Sequence, residues 1–309
     1  VCQLESAEGG ISYDPTTFIL DENLRILDII PLETHVPPVD RLLSAIQQIP
    51  ASAPPQLMKR QAPALLIPDV FPAEFCQYLI DLYEADGGTE SGFMKQDGSQ
   101  AVVTLDYGIK RRKDLMITDP ALLSKINYFI GRRLVPEVFK AFQFRITRFE
   151  RYLVGCYEDT TQGFFKPHRD NVNAGAAHRR FALSLNLNAG YEGGCLRFPE
   201  YGGDLYCPPA GSAVVFSCSL LHEVTPVTQG RRFTLLSFLY NDEDAKLREQ
   251  TRKQIVRQDG TNAIFDAGNQ AIEASSQSGQ SGKAQVEKTK FDRSPTQAAK
   301  RRKNSPSGF

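Results

Sequence analysis

Four histidines in 309 residues (His35, His168, His178 and His222) leave little room for a site built on imidazole alone. A three-histidine centre would use nearly all of them, so a mixed histidine/carboxylate site is the economical option. The six cysteines (Cys2, Cys76, Cys156, Cys195, Cys207, Cys218) include no CxxC and no paired spacing. That speaks against a zinc ribbon or a dense disulfide framework and for a reducing compartment. No apolar run approaches the ~20 residues that cross a bilayer. Net charge is also missing, since 36 Lys and Arg balance 36 Asp and Glu. No global field therefore argues for nucleic acid or an anionic membrane as partner. The balance is a cancellation: from 275 to 309 eight basic residues face two acidic ones, which leaves the first 274 residues at minus six.

What is present is an ordinary globular composition, 41% apolar and 23% charged. The length suggests about two domains on a prior of roughly 150 residues each. Residues 1–49 read as a ββα piece. Thr16 to Leu20 is one β-rich run, Asp21-Glu22-Asn23 is turn chemistry, and Leu24 to Leu32 is a second run. Apolar residues at 39, 42, 43, 46 and 49 then have helical spacing. So short a piece buries too little surface to stand alone. Residues 50–63, with prolines at 50, 54, 55 and 63, read as a linker. Residues 64–258 form the main block: a strand at 64–67, a helix entered through Pro72, and a second helix from Pro120 to about Leu134, ended by Pro136. After Phe142 short β-rich runs continue to Tyr240, as expected of a barrel or jelly roll with helices on one face. Residues 259–309 are low in complexity and end in Lys300-Arg301-Arg302-Lys303. They read as a disordered basic tail: a localisation signal, an anion-binding tag, or a solvated segment with no specific partner.

The informative stretch is Gly163-Phe164-Phe165-Lys166-Pro167-His168-Arg169-Asp170. On a strand, positions i and i+2 face the same side, so His168 and Asp170 point together and Arg169 points away. His222 follows 52 residues after Asp170, on a different strand. One His-x-Asp pair plus a distal His is the ligand set of the facial triad, with the opposite positions open. A hairpin from Val224-Thr225-Pro226-Val227 through Thr228-Gln229-Gly230 is expected to bring Arg232 back alongside His222. A guanidinium buried there needs an anion, and a bidentate carboxylate suits it. Thr234 shares the Arg232 face and is placed to donate a further hydrogen bond. In Phe181 to Asn188 polar residues 184, 186 and 188 alternate with Leu183, Leu185 and Leu187, which makes Asn186 a candidate contact. His178, in a Gly/Ala-rich loop, reads as exposed, Arg231 as a surface charge, and the cysteines near the site as small core residues. The glycine-containing segments Gly87 to Thr104 and Asn171 to Arg180 read as loops at the mouth of the site.

Five motifs, in order, resemble the iron(II)/2-oxoglutarate dioxygenases of the prolyl 4-hydroxylase type. They are the helix after Pro68-Asp69-Val70-Phe71, Tyr157 ahead of the His-x-Asp stretch, and Tyr191-Glu192-Gly193-Gly194-Cys195-Leu196-Arg197-Phe198-Pro199. Pro208 to Phe216, and His222-Glu223-Val224-Thr225-Pro226-Val227 with Arg232, complete the set. The resemblance runs from Leu65 to about Arg257. It implies an α+β fold whose catalytic core is a double-stranded β-helix (jelly roll) with flanking helices. It also implies iron(II) held by His168, Asp170 and His222, 2-oxoglutarate held through its distal carboxylate by Arg232, and Tyr157 beside the co-substrate. Collagen-type members carry lysine where this chain has Arg232, which makes collagen-like substrates a poorer match. Residues 1–49 resemble the C-terminal half of a peroxiredoxin-like, thioredoxin-fold domain. There Pro15 would be the cis-proline before the strand, and the reactive cysteine would lie upstream of Val1.

The resemblance implies that 2-oxoglutarate and O2 are consumed, succinate and CO2 released, and a C–H bond hydroxylated, with ascorbate keeping iron reduced. The prime substrate is left open; prolyl or other side chains of a protein, free amino acids and small metabolites all fit. Two alternatives stand beside it: a non-catalytic cupin-like jelly-roll module, and a zinc hydrolase with the same three ligands, in which Arg232 has no natural role. The expected location is cytoplasmic, or nuclear through the basic tail. A chain that opens on Val1 also leaves room for an upstream signal peptide.

Overall fold

Pro72 and Asp119 mark where the chain turns into helix. Pro72 is the N-cap of one helix; Asp119 caps the next by accepting the Leu122 N–H at 2.7 Å, with Pro120 in the first turn. A computed structural model describes residues 2–5, 11–14, 16–20, 26–31, 39–49, 57, 60–97, 100–251, 255–257 and 270–271. The turn at 21–23, Pro15, most of the proposed linker and nearly all of the basic tail lie outside the described residues. The chain divides into two compact units, Val1–Arg60 and Gln61–Phe309.

In the first unit β1 (Cys2–Glu5) pairs with β2 (Ile11–Asp14), and β3 (Thr16–Leu20) with β4 (Ile26–Pro31), both antiparallel. Helix α1 (Val39–Gln47) follows. Ile19 of β3 and Ile30 of β4 are buried, and Arg41 of α1 pairs with Asp28 of β4 at 3.2 Å.

The second unit begins with β5 (Ala64–Ile67), α2 (Ala73–Asp86), β6 (Thr89–Glu90), β7 (Phe93–Asp97), β8 (Gln100–Thr104), β9 (Lys110–Arg111) and β10 (Lys113–Met116). Helices α3 (Pro120–Arg133) and α4 (Val135–Phe142) follow. Pro136, expected to end helical structure, instead sits in the first turn of α4, where its missing N–H costs nothing. Strands β11 (Arg148–Phe149), β12 (Leu153–Glu158), β13 (Phe164–His168), β14 (Phe181–Asn186), β15 (Glu192–Gly193), β16 (Leu196–Arg197) and β17 (Leu205–Tyr206) come next. Then come β18 (Ala213–Ser217), β19 (His222–Val224), β20 (Val227–Gln229), β21 (Arg231–Tyr240), α5 (Asp242–Thr251), β22 (Ile255–Arg257) and β23 (Gln270–Ala271).

Two antiparallel sheets carry the unit. The larger runs β5-β18-β14-β21-β12-β10-β6 and the smaller β17-β16-β19-β13-β9, an arrangement that fits a jelly roll. The central strands of the larger sheet, β18, β14, β21 and β12, are buried on both faces, and their alternation assigns each residue a side. Val154, Cys156, Leu185, Val215, Phe233 and Leu235 pack with Phe75, Leu79, Ile126 and Ile130 of α2 and α3. Tyr157, Ala182, Val214 and Phe216 instead face the smaller sheet, with Leu196, Phe198 and Val224. One face anchors helices, and the other leaves room between the sheets for polar groups. Among the described residues no helix is long and apolar enough to cross a membrane.

Candidate active site

His168 ends β13 and His222 opens β19, and the two are direct partners across that ladder. Asp170 lies past the end of β13, in a turn where its N–H donates to Cys218 O at 3.0 Å. A turn, rather than the expected strand alternation, thus brings His168 and Asp170 together. Asp170 Oδ1 is 3.4 Å from His168 Nε2, and Oδ2 is 3.3 Å from His222 Nε2. All three ligand atoms lie within 4.8 Å of one another. Each imidazole donates its Nδ1–H to a carbonyl two residues upstream, Lys166 O at 2.8 Å and Leu220 O at 3.0 Å. That fixes the tautomer and leaves both Nε2 lone pairs facing the carboxylate, the orientation a metal ligand needs. Phe165 stacks on His168 with ring centroids 3.5 Å apart, and Phe216 meets His222 edge-on at 4.6 Å.

Burial pushes the His222 imidazole down to about 4, so it is neutral at pH 7. Burial alone would raise the Asp170 carboxyl, but the facing His222 and His168 rings and Arg179 outweigh it and hold the group well below the usual range. Two imidazoles presenting Nε2 and one ionised carboxylate are the donor set of a 2-His-1-carboxylate iron(II) centre. The residues present fit that ion.

Arg232 is reached by a different route from the one expected. It lies on β21 opposite Tyr157 of β12 in the larger sheet, not on a strand paired with His222. The intervening β20 pairs with β15, so the chain crosses between sheets after Pro226 instead of folding back as a hairpin. Arg232 is only 2% exposed. Its Nε and Nη2 donate to Asn186 Oδ1 at 3.1 and 2.8 Å, and Nη2 also donates to Ser184 Oγ at 3.1 Å. These acceptors are neutral. Among the described residues no carboxylate lies within ion-pair distance and nothing accepts from Nη1, while Arg232 lines a cavity of about 980 Å³ together with His168, Asp170 and His222. Gly194 makes the approach possible: with φ at +73° and +62°, Gly193 and Gly194 turn the chain so closely that a Cβ on Gly194 would sit 3.1 Å from Arg232 Cδ.

Tyr157 is buried in the same cavity, its hydroxyl accepting from Arg112 Nη1 at 3.2 Å and its ring lying 5.6 Å from the Arg232 guanidinium. Asn186 and Thr234 lie behind Arg232. Asn186 Nδ2 donates to Tyr191 Oη and Pro208 O, at 2.8 and 2.7 Å. The Thr234 hydroxyl donates to Leu185 O at 3.0 Å and lies 3.2 Å from Ser184 Oγ. Ser184, not these two, lines the cavity beside Arg232.

The model of the 2OG-Fe(II) oxygenase superfamily matches residues 152–240, which contain this whole constellation. A PKHD-type hydroxylase of Xanthomonas campestris pv. campestris (strain B100) is 30% identical over 202 residues, 59% of this chain and 82% of its own length. The chain belongs to the 2OG-Fe(II) oxygenase superfamily. It is a 2-oxoglutarate-dependent hydroxylase, with iron(II) as metal and O2 and 2-oxoglutarate as co-substrates. A PKHD-type hydroxylase of Shewanella oneidensis (strain ATCC 700550 / JCM 31522 / CIP 106686 / LMG 19005 / NCIMB 14063 / MR-1) is 32% identical over 162 residues, 48% of this chain and 69% of its own. A Pseudomonas putida prolyl-4-hydroxylase structure aligns with 58% of this chain and 93% of its own at 18% identity, with a TM-score of 0.41.

The oxygenase also holds charges that the sequence reading passed over. Lys110, Arg112, Asp114, Arg151 and Arg179 all line the cavity. Arg112 grips Asp114 with two hydrogen bonds, at 2.5 and 2.7 Å. Glu150 is buried between Arg151 and Arg179, accepting from Arg179 Nε at 2.7 Å and Nη2 at 2.9 Å. His178, expected in an exposed loop, is 1% exposed with Nε2 3.1 Å from Glu150 Oε2. Its loop folds inward because that carboxylate supplies a buried partner. Residues 87–104, also expected as a loop, form β6, β7 and β8. Cys207 departs from the small-core reading too, since it is exposed and lies 3.5 Å from Tyr191 Oη. A signal for the missed residues was present, because Lys110, Arg112 and Asp114 recur at the period of a strand face.

Proposed function

We propose that His168, Asp170 and His222 hold the iron(II) and that Arg232 receives the distal carboxylate of 2-oxoglutarate. The observation that carries this reading is one cavity with a buried guanidinium that no described carboxylate pairs at one place and a His/Asp/His donor set at another. When bound, the metal supplies the oxidation chemistry by which an oxygen atom enters a C–H bond while 2-oxoglutarate becomes succinate and CO2. The chain's part is to bind, orient and exclude water. Ser184 and Asn186 hold the Arg232 fork in place, Thr234 orients Ser184 through its hydroxyl, and Tyr157 walls the co-substrate between Arg232 and Arg112. The prime substrate we favour is a prolyl or other side chain of a protein, in keeping with the prolyl 4-hydroxylase-type motifs of the sequence. Ascorbate is the expected reductant for iron oxidised in unproductive turnovers. The last two strands and the helix of the first unit, β3, β4 and α1, have the ββα order of the end of a thioredoxin-like domain, and the free cysteines among the described residues suit a cytoplasmic site of action.

Anaerobic addition of iron(II) and 2-oxoglutarate to the metal-free protein tests the reading. A visible charge-transfer band should form, and succinate should appear on admitting air. Asp170→Ala should abolish both; a variant that kept the band would remove Asp170 from the ligand set.

A further inference from the structure

We infer that the chamber beside the iron site takes an oxyanion, a carboxylate or phosphate group carried by the prime substrate, with Lys110 as its principal contact. The inference rests on the proposed iron and 2-oxoglutarate reading for where the reacting centre lies, and on charges outside that centre for everything else.

The centre itself is self-neutralising. Asp170 and a doubly charged co-substrate balance iron(II) and Arg232. Four further cations line the cavity, Lys110, Arg112, Arg151 and Arg179, all fully or largely buried. Among the described residues two carboxylates pair with them. Asp114 is taken by the two hydrogen bonds from Arg112, and Glu150 is shared between Arg151 and Arg179. The remaining acidic residue of the lining, Glu90, is exposed at the rim and solvated. Lys110 is left without a carboxylate at ion-pair distance among the described residues, and a buried charge so placed is costly unless an anion enters.

Lys110 itself bonds only neutral groups, one of which, Ser91, donates in turn to Asp114. It is 6% exposed, and its Nζ donates to two neutral acceptors, Ser91 Oγ at 2.6 Å and Gly92 O at 2.9 Å. An ammonium has three donors, so one has no acceptor among the described residues. Its position is also pertinent. Lys110 is the cross-strand partner of Phe165, its Nζ lies 5.0 Å from that ring's centroid, and the ring stacks on His168. A group held at Lys110 is therefore one aromatic ring away from a proposed iron ligand. Burial, with Arg112 and Arg151 adding to it and Asp114 and Asp170 opposing it, pushes the ammonium well below its ordinary value. An arriving anion would reverse that and draw a proton onto the amine, so binding and protonation favour each other.

The test is calorimetric titration of acetate and methylphosphonate, with acetamide as the uncharged counterpart of acetate. It is performed on the full chain loaded anaerobically with iron(II) and 2-oxoglutarate, with the charge-transfer band as the check on loading. Saturable binding of an anion but not of acetamide is expected, and the preferred anion tells carboxylate from phosphate. Lys110→Met should weaken it roughly tenfold or more, the loss of one charge-assisted hydrogen bond, and Lys110→Arg should restore most of it. Equal binding of acetate and acetamide, no anion binding, or wild-type affinity in Lys110→Met would each overturn the inference. If Lys110→Met did not fold, the comparison of acetate with acetamide in the wild type would still decide. Failure of the band to form would instead strike at the iron and co-substrate reading, and the effect of Lys110→Met on anion binding would be measured on the same metal-free proteins.

Discussion

Replacing Arg232 with methionine tests the centre of the mechanism, because the side chain keeps its bulk and loses only its charge and fork. In the wild type Nε and Nη2 are spent on Asn186 and Ser184, which leaves Nη1 as the arm to meet the co-substrate. Asn186 keeps its bonds to Tyr191 and Pro208 in the variant, so the wall behind the anchor stays held. Removing one partner of a buried, hydrogen-bonded charge pair costs about 2–5 kcal/mol. At 1.4 kcal/mol per decade that is a roughly 30- to 3,000-fold rise in the 2-oxoglutarate Kd. The assay is the anaerobic charge-transfer titration, run with 2-oxoglutarate and with 2-oxovalerate, which keeps the 2-oxo acid end and lacks the distal carboxylate. The wild type should favour 2-oxoglutarate by about the same factor that the substitution costs, and Arg232→Met should erase the preference by weakening 2-oxoglutarate alone. If both 2-oxo acids lost affinity together, Arg232 would be a strut of the pocket, and its assignment to the distal carboxylate would be refuted.

Three further outcomes follow from individual contacts. Glu150→Gln leaves Arg151 and Arg179 facing a neutral amide, a loss of about 3–5 kcal/mol, which calorimetry should register as a Tm lower by roughly 6–20 °C. Burial alone would raise that carboxyl, but Arg179 and Arg151 hold it well below its ordinary range, so its contribution is complete above the ordinary carboxylate range and fades as pH falls through the depressed value; Glu150→Gln should lack that part of the acid transition. The Cys207 thiol is drawn down to about 6, mainly by the Cys195 thiol, so the midpoint of its alkylation by iodoacetamide should lie well below that of a free cysteine, and Cys195→Ala should shift it upward. Adjacent residues of β14 should separate stability from binding: Leu185→Ala, on the helix-facing side, should cost about 2–5 kcal/mol of stability, whereas Ser184→Ala should spare Tm and weaken 2-oxoglutarate several-fold by loosening Arg232.

Local pattern carried the strands and helices. The alternation in Phe181 to Asn188 places the leucines on one face and Ser184 and Asn186 on the other, as β14 does, and Asp119-Pro120 starts α3 where capping chemistry says it should. What local pattern could not supply was which strands meet. The segment after His222 has the look of a hairpin, yet the chain leaves the smaller sheet after β19 and enters the larger at β21, because jelly-roll strands pair with partners remote in sequence. Arg232 still reaches the site, since Tyr157 and Asn186 arrive on the strands at its two sides. His178 shows the same limit: a Gly/Ala-rich loop reads as solvent-exposed until Glu150, 28 residues earlier, is known to lie beneath it.

The buried ion cluster and the proposed metal site are coupled through one residue. Arg179 pairs with Glu150, stacks at 3.8 Å over Phe238, and donates from Nη1 to the backbone carbonyl of Asp170 at 3.3 Å. That carbonyl belongs to the turn beyond β13, where regular strand hydrogen bonding no longer fixes the chain. A ligand placed on a turn needs its backbone held by something else. Here Cys218 O takes the Asp170 N–H and Arg179 takes its carbonyl, so both backbone groups are tied to buried partners. His178 belongs to this support, since it and Arg179 share Glu150. The scarcity of histidine thus has a structural division of labour: His168 and His222 present Nε2 to the carboxylate, and His178 helps secure the guanidinium that holds that carboxylate's backbone in place.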